Sequence, residues 1–227
     1  MIKTMTGEWT RRRFFAGVAA AGVAGSLGWS GKPALAQTGL SSDAAMRELM
    51  AGNERFVAGN ITSFPEDLKI LKAKTADKQE PFAAVLACAD SRIPVELIFD
   101  QTIGHIFVSR VAGNMLTPEI IASLEYGVAV LGIKAILVLG HLGCGAIAAA
   151  IQGKEVPGQI SVLYQHLMPG IAGAHGDSAL AAKMNAAYQA KLLSESSTVI
   201  AKAIKEDGVK VVSGSYDIAT GRVTLSA

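Results

Sequence analysis

The chain has 227 residues, half of them hydrophobic, with two cysteines and a formal net charge of +2. That length suits one domain of moderate size plus a leader. The first 36 residues carry Lys3, Arg11, Arg12, Arg13 and Lys32 against Glu8, so the rest is mildly acidic at −2, which removes any electrostatic case for binding nucleic acid.

In chain order, an export leader comes first. Thr10-Arg11-Arg12-Arg13-Phe14-Phe15 resembles a twin-arginine motif, a weakly apolar Ala/Gly-rich stretch runs from Ala16 to Trp29, and Ala34-Leu35-Ala36 offers a small-x-small site with cleavage predicted after Ala36. Residues 1–36 therefore read as a signal peptide, residues 37–42 as a linker and 43–227 as the working domain, with the mature protein in the periplasm. A membrane anchor is the competing reading, but the stretch falls short of the roughly 20 apolar residues a span needs.

Ser41 or Ser42 is placed to cap a helix from Asp43 to about Ala58, with Met46, Leu49, Met50, Phe56 and Val57 on its apolar face. Gly59 and Asn60 end it. The polar stretch from Lys69 to Glu80 reads as helix passing into loop before Pro81. Four short, nearly continuous apolar runs follow, at Phe82–Ala87, His105–Ser109, Ala135–Leu139 and Val209–Ser213. Such runs fit parallel strands covered on both faces. Helical patterns lie between them at Pro94–Phe99, Pro118–Leu131, Gly145–Gln152 and Ala179–Glu206, with Gly170–Gly176 as a loop. Tyr216–Leu225, with Thr220-Gly221 at its turn, reads as a terminal hairpin. The alternation predicts an α/β fold with a mostly parallel central sheet flanked by helices, a C-terminal hairpin or edge strand, and no second domain.

Both cysteines fall just beyond strand-like runs, in Cys88-Ala89-Asp90-Ser91-Arg92 and His141-Leu142-Gly143-Cys144-Gly145. Strand C-terminal ends are where open α/β sheets hold ligands. Thiolate and imidazole, with an optional carboxylate, form a zinc ligand set. Cys88 and Asp90, two apart at an extended strand end, point the same way. Gly143 permits a tight turn between His141 and Cys144, and a helix N-terminus favours Cys144 as thiolate. Two sulfurs and an imidazole leave a fourth position for Asp90 or for water, and an open position marks a catalytic site. Arg92 is suited to hold the Asp90 carboxylate through paired hydrogen bonds. Held there, Asp90 leaves the position free; swung onto the metal, it closes the site. Two competing readings stand: a structural Asp–Arg pair beside structural zinc, and a Cys88–Cys144 disulfide in an oxidising compartment.

These two segments, together with Phe107-Val108-Ser109-Arg110-Val111-Ala112-Gly113-Asn114 and Glu125-Tyr126-Gly127, resemble a β-class carbonic anhydrase in order and spacing from about Asp43 onward. The resemblance implies zinc on Cys88, His141 and Cys144, with Asp90 and Arg92 as a switching dyad. It implies that Gln79 hydrogen-bonds the substrate, that Phe107, Tyr126 and Ile93 line a CO₂ pocket, and that the Gly143 backbone lies beside the substrate oxygen. It also implies a homodimer or higher homo-oligomer with the pocket at a subunit boundary and the first helix on the partner. Some family members close their sites with a tryptophan three residues before the first cysteine; here that residue is Val85, which with Gln79 and Ile93 fits the open subgroup. His105 reads as a structural histidine, with proton movement as the alternative; His166 and His175 carry no pattern.

The activity implied is reversible hydration of CO₂ to bicarbonate and a proton. A hydrolase of the same fold acting on CS₂ or COS is one rival. A non-catalytic zinc-binding or redox-sensing protein is the other.

Overall fold

The computed structural model describes residues 38–63, 75 and 78–226. The expected signal peptide with its cleavage site, and most of the expected helix within 69–80, lie outside the described residues.

The first helix, α1 (Ser42–Val57), starts where Ser41 stays extended and its hydroxyl accepts the Ala44 N–H at 3.2 Å. Ala45, Met46 and Leu49 form its buried stripe. Strand β1 (Ala83–Ala87) follows, then a single turn, α2 (Val95–Ile98), β2 (Ile106–Arg110) and a 3₁₀ turn at Ala112–Asn114. Helix α3 (Pro118–Ala129) begins with Thr117 as cap and proline in its first turn. Strand β3 (Ala135–His141) leads into α4 (Gly145–Gln152), α5 (Val162–Ile171), a 3₁₀ turn at Ala172–Ala174, α6 (Ser178–Ser196) and α7 (Thr198–Asp207). Strands β4 (Lys210–Tyr216) and β5 (Val223–Leu225) close the chain.

The sheet order is β2-β1-β3-β4-β5, parallel throughout except for the antiparallel β4–β5 pair. Within β1 and β3 the continuous apolar run conceals a period of two. Ala83, Val85, Ala87, Ala135, Leu137 and Leu139 face one side with α1 and α2; Ala84, Leu86, Ile136 and Val138 face the other with α3, α6 and α7. Both faces are therefore dry, as the run lengths predict. Asn53 fastens α1 to the chain end: its amide donates to the Ile98 and Gly221 carbonyls, and its oxygen accepts the Val223 N–H at 2.8 Å.

The expected strands are all present, shifted by a residue or extended at one end. The expected helix Ala179–Glu206 is two helices. Ser197 is extended at φ −96°, ψ 112°, and its hydroxyl caps α7 at Ile200 N while donating to Glu125 Oε1 at 2.6 Å. A serine that satisfies the next helix's N–H and a neighbouring carboxylate stops the first helix. The expected loop Gly170–Gly176 is also partly helical: α5 runs through Pro169 to Ile171, and the 3₁₀ turn follows. Pro169 and Gly170 conceal α5 in the sequence because both are poor helix formers.

Strand order reverses between β1 and β3, each of which forms parallel pairs on both sides. That reversal opens a crevice at the strand C-termini. Cys88 is the residue after β1, and His141 is the last residue of β3.

Candidate metal centre

Parallel pairing of β1 with β3 puts Ala87 beside Leu139, so the two motifs leave the sheet side by side. Gly143 takes a left-handed conformation at φ +69°, which turns the chain so that Cys144 becomes the cap residue of α4. The result is that the ligating atoms of Cys88, His141 and Cys144 all lie within 4.8 Å of one another, each residue buried.

The donors fit zinc. The two sulfurs are 4.0 Å apart and both cysteines are free, which sets aside the disulfide reading. Two sulfurs at ~2.3 Å from a tetrahedral ion would stand ~3.8 Å apart. His141 supplies the third donor. Its Nδ1 lies 3.0 Å from the Leu142 carbonyl, so Nδ1 carries the proton and Nε2 keeps its lone pair. That Nε2 is fully buried and without a hydrogen-bond partner. An orphaned imidazole nitrogen beside two sulfurs is what a metal ion would satisfy.

Without metal, the cluster holds a shared charge. The Cys88 thiol is pushed down to about 4, first by hydrogen bonding from Cys144, against burial, and then by His141 and the Gly113 N–H. Cys144 is pushed upward by the same bond and by burial. Burial opposes charge on His141, yet the Cys88 sulfur, the Leu142 carbonyl and Asp90 outweigh it and raise its pKa. Metal entry therefore displaces protons, and affinity falls as pH falls.

Asp90 stands at the edge of this cluster. Arg92 grips it with Nε on Oδ1 at 2.9 Å, Nη2 on Oδ2 at 2.7 Å and its backbone N–H on Oδ1 at 3.0 Å. The Arg92 hydrogen bonds hold the Asp90 carboxyl well below the usual carboxylate range, against a burial effect. Oδ2 is 3.9 Å from His141 Nε2, beyond hydrogen-bond reach. Asp90 was expected among the ligands as well as in the dyad; in this arrangement it is engaged by arginine, and the three-donor cluster excludes it. Arg92 also donates to the Gly143 carbonyl at 3.3 Å, linking the two motifs.

The expected pocket residues are placed less closely together. Phe107 and Tyr126 pair with ring centroids 6.4 Å apart, Phe107 on the α3 side of the sheet and Tyr126 47% exposed. Ile93 is buried on the opposite, α1 side. Gln79 is exposed. The residues packed with Cys88 and Cys144 are Met115, Ile147, Leu167 and Ile171. His105 sits exposed at the sheet's far end, edge-on to Phe82 at 6.4 Å.

Sequence reasoning passed over Arg110. Its Nε donates to the Cys88 carbonyl at 2.9 Å and its Nη2 to the Asp90 carbonyl at 2.5 Å, so it braces the backbone that carries both side chains. The available signal was a charged residue closing a strand that opens with three apolar residues. The Gly113 N–H, which donates to Cys88 Sγ at 3.3 Å, had no signal beyond the glycine itself.

Fold and donors together define a zinc protein with a thiolate–imidazole centre at the switch point of an open, mostly parallel sheet. The carbonic anhydrase family pattern matches residues 83–223. Carbonic anhydrase of Mycolicibacterium smegmatis is 34% identical over 193 residues, covering 80% of this chain and 92% of that protein. Carbonic anhydrase 2 of Mycobacterium tuberculosis is 45% identical over 108 residues, 48% of this chain; the match spans 52% of that relative's length, about half. A crystal structure of tetrameric β-carbonic anhydrases from the ascomycete Sordaria macrospora superposes with a TM-score of 0.63 at 25% identity, covering 79% of this chain and 95% of that one. This chain belongs to the carbonic anhydrase family, in its β class.

Proposed function

We propose that this chain catalyses the reversible hydration of CO₂ to bicarbonate and a proton, with zinc held by Cys88, His141 and Cys144. The observation that carries the reading is the convergence of three buried donors within 4.8 Å beside a carboxylate pinned by arginine. Zinc bound there supplies Lewis acidity that makes water ionisable near neutral pH, the established property of the metal in carbonic anhydrases.

The chain's own residues do the rest. Asp90 is ionised across the working range because Arg92 stabilises its charge, so it accepts a hydrogen bond from the attacking water and aims that water's lone pair at carbon. The same grip keeps the carboxylate from taking the fourth ligand position. The Leu142 carbonyl holds His141 in the tautomer whose Nε2 is a donor to metal. Met115, Ile147 and Leu167 keep water from the inner side of the sulfurs, which strengthens local electrostatics. Phe107 and Tyr126 provide apolar surface for CO₂, Gln79 orients one oxygen, and the Gly143 backbone flanks the other. Exposed Gln79 and half-exposed Tyr126 gain walls from a second copy, in a homodimer or higher homo-oligomer. The released proton passes to buffer.

The enzyme acts in the periplasm after twin-arginine-type export and cleavage behind Ala36. The support is the Arg11–Arg13 cluster, the Ala/Gly-rich stretch and Ala34-Leu35-Ala36. Among the described residues no helix is long and apolar enough to cross a membrane.

The test is stopped-flow CO₂ hydration from pH 6 to 9 on the mature protein with zinc quantified. The expected result is saturable hydration proportional to zinc, at about one ion per subunit. Zinc-replete protein without hydration, or with hydrogen sulfide release from CS₂ in its place, refutes the assignment. Amino-terminal sequencing of the periplasmic protein should begin at Gln37; an uncleaved cytoplasmic product refutes the export reading.

A further inference from the structure

Helix α6 buries a face of Ala181, Ala182, Ala186 and Ala190, yet two amides, Asn185 and Gln189, share that face one turn apart and are essentially inaccessible. Burying an amide among apolar groups costs free energy unless every polar atom is partnered. Here they are partnered, and the partners lead to the metal centre. Asn185 Nδ2 donates to the Gly113 carbonyl at 2.9 Å. Asn185 Oδ1 accepts from Gln189 Nε2 at 3.1 Å, and Gln189 Nε2 also donates to the His166 carbonyl at 3.1 Å. Gln189 Oε1 accepts the Leu116 N–H at 3.0 Å. Gln189 thus dictates which end of Asn185 faces Gly113, and α6 grips the turn at both Gly113 and Leu116.

Gly113 is the residue whose N–H donates to Cys88 Sγ at 3.3 Å. Its φ is +77°, a conformation that strains other residues, and a Cβ there would come within 2.8 Å of Leu167 Cδ2, so glycine suits the position. Glycine has the widest conformational freedom of any residue. A glycine whose N–H is aimed at a sulfur stays aimed only if its conformation is held: the Asn114 N–H closes the turn on the Val111 carbonyl at 2.9 Å, and the Asn185 amide anchors the Gly113 carbonyl on the other side of that flexible residue.

We propose that Asn185 is a positioning residue for the metal centre: through the Gly113 carbonyl it fixes the backbone N–H that supports the Cys88 sulfur. The inference rests on the reading of Cys88 as a zinc ligand. A hydrogen bond to a ligating sulfur draws off part of its charge and orients it, and loss of such outer contacts typically costs about 10- to 100-fold in metal affinity.

The test uses the mature, metal-loaded enzyme with Asn185→Leu, which keeps bulk and removes the amide, and Asn185→Asp, which keeps shape and replaces the donor with oxygen. Leu193→Ala is the control: Leu193 is buried on the same helix but packs on the α3 and α7 side. Two readouts are taken beside thermal stability: zinc release to a chromogenic chelator, and the thiolate-to-metal charge-transfer band of cobalt(II)-substituted protein. The expected result is that both Asn185 variants release zinc about tenfold faster and shift the cobalt band, while Leu193→Ala loses stability with neither change. If Asn185→Leu does not fold, Asn185→Asp carries the comparison. Release rates and bands in the Asn185 variants equal to wild type, or equal to those of Leu193→Ala, overturn the proposal. A wild-type cobalt protein with no thiolate band overturns the metal centre as well; an intact wild-type band with unmoved variants overturns only the role of Asn185.

Discussion

Replacing Asp90 with Asn is the sharpest probe of the proposed chemistry. The amide is nearly isosteric and can keep its oxygen on the Arg92 N–H groups, where Oδ1 now accepts two hydrogen bonds. The other terminus, Oδ2, lies 3.9 Å from His141 Nε2 and becomes an NH₂. A donor then faces the attacking water where an acceptor is needed. Arg92 Nη2 loses its acceptor at 2.7 Å, and the attacking water loses one charge-assisted hydrogen bond, about 1.5–3 kcal/mol, which converts to a fall of roughly 10- to 150-fold in kcat/KM. Zinc content should not change, because Cys88, His141 and Cys144 are untouched. Since Arg92 already holds the wild-type carboxyl well below the usual range, the deficit should be the same at every pH from 6 to 9. Stopped-flow hydration with parallel zinc analysis measures it. A variant with full zinc and unimpaired kcat/KM would remove Asp90 from the mechanism, and a deficit that grows with pH would refute its being ionised throughout.

Arg92→Ala should also slow hydration, by freeing Asp90 to reach the metal; the slow variant should bind anionic inhibitors more weakly, and unchanged rates would break the dyad. Asp100→Asn tests a buried carboxylate away from the centre. Its side chain is inaccessible and accepts from Arg55 Nε at 2.6 Å, the Thr62 and Ser63 N–H groups and both of their hydroxyls. Asn tolerates the same positive φ of 43°, so the backbone is spared, but the charge is lost and one acceptor becomes an NH₂ facing donors, and the cost should be about 3–5 kcal/mol. Despite burial, these partners hold the Asp100 carboxyl below its ordinary value. Its contribution is therefore complete above about pH 4, the unfolded value, and is lost as pH falls through the lower folded value. In urea melts the gap between wild type and variant should narrow below pH 4; a constant gap refutes the linkage. Chelation at neutral pH should abolish hydration and expose a thiolate, since the Cys144 hydrogen bond holds the metal-free Cys88 thiol well below its ordinary value. With sulfurs 4.0 Å apart, air should then oxidise the pair, and zinc should restore activity only after reduction; restoration without reductant counts against that geometry.

Much of this centre was legible because its donors are local. Cys88 with Asp90, and His141 with Cys144, sit in two short segments whose residue types allow few other chemistries. The strands were legible for a similar reason: residues buried on both faces leave an unbroken apolar run. The break at Ser197 and the helix through Pro169 were not, because each depends on a contact from elsewhere, Glu125 in the first case and packing against α6 in the second.

By itself the sequence determined which atoms could hold a metal and that strands would carry them, because donor chemistry and hydrophobic run length are properties of the chain alone. Tertiary structure decided that β1 and β3 would be neighbours, so that the three donors meet. It also decided that Arg110, Gly113 and Asn185 would brace the Cys88 turn. Those contacts join residues dozens of positions apart, and only the packed sheet and the helix against it bring them within hydrogen-bond range.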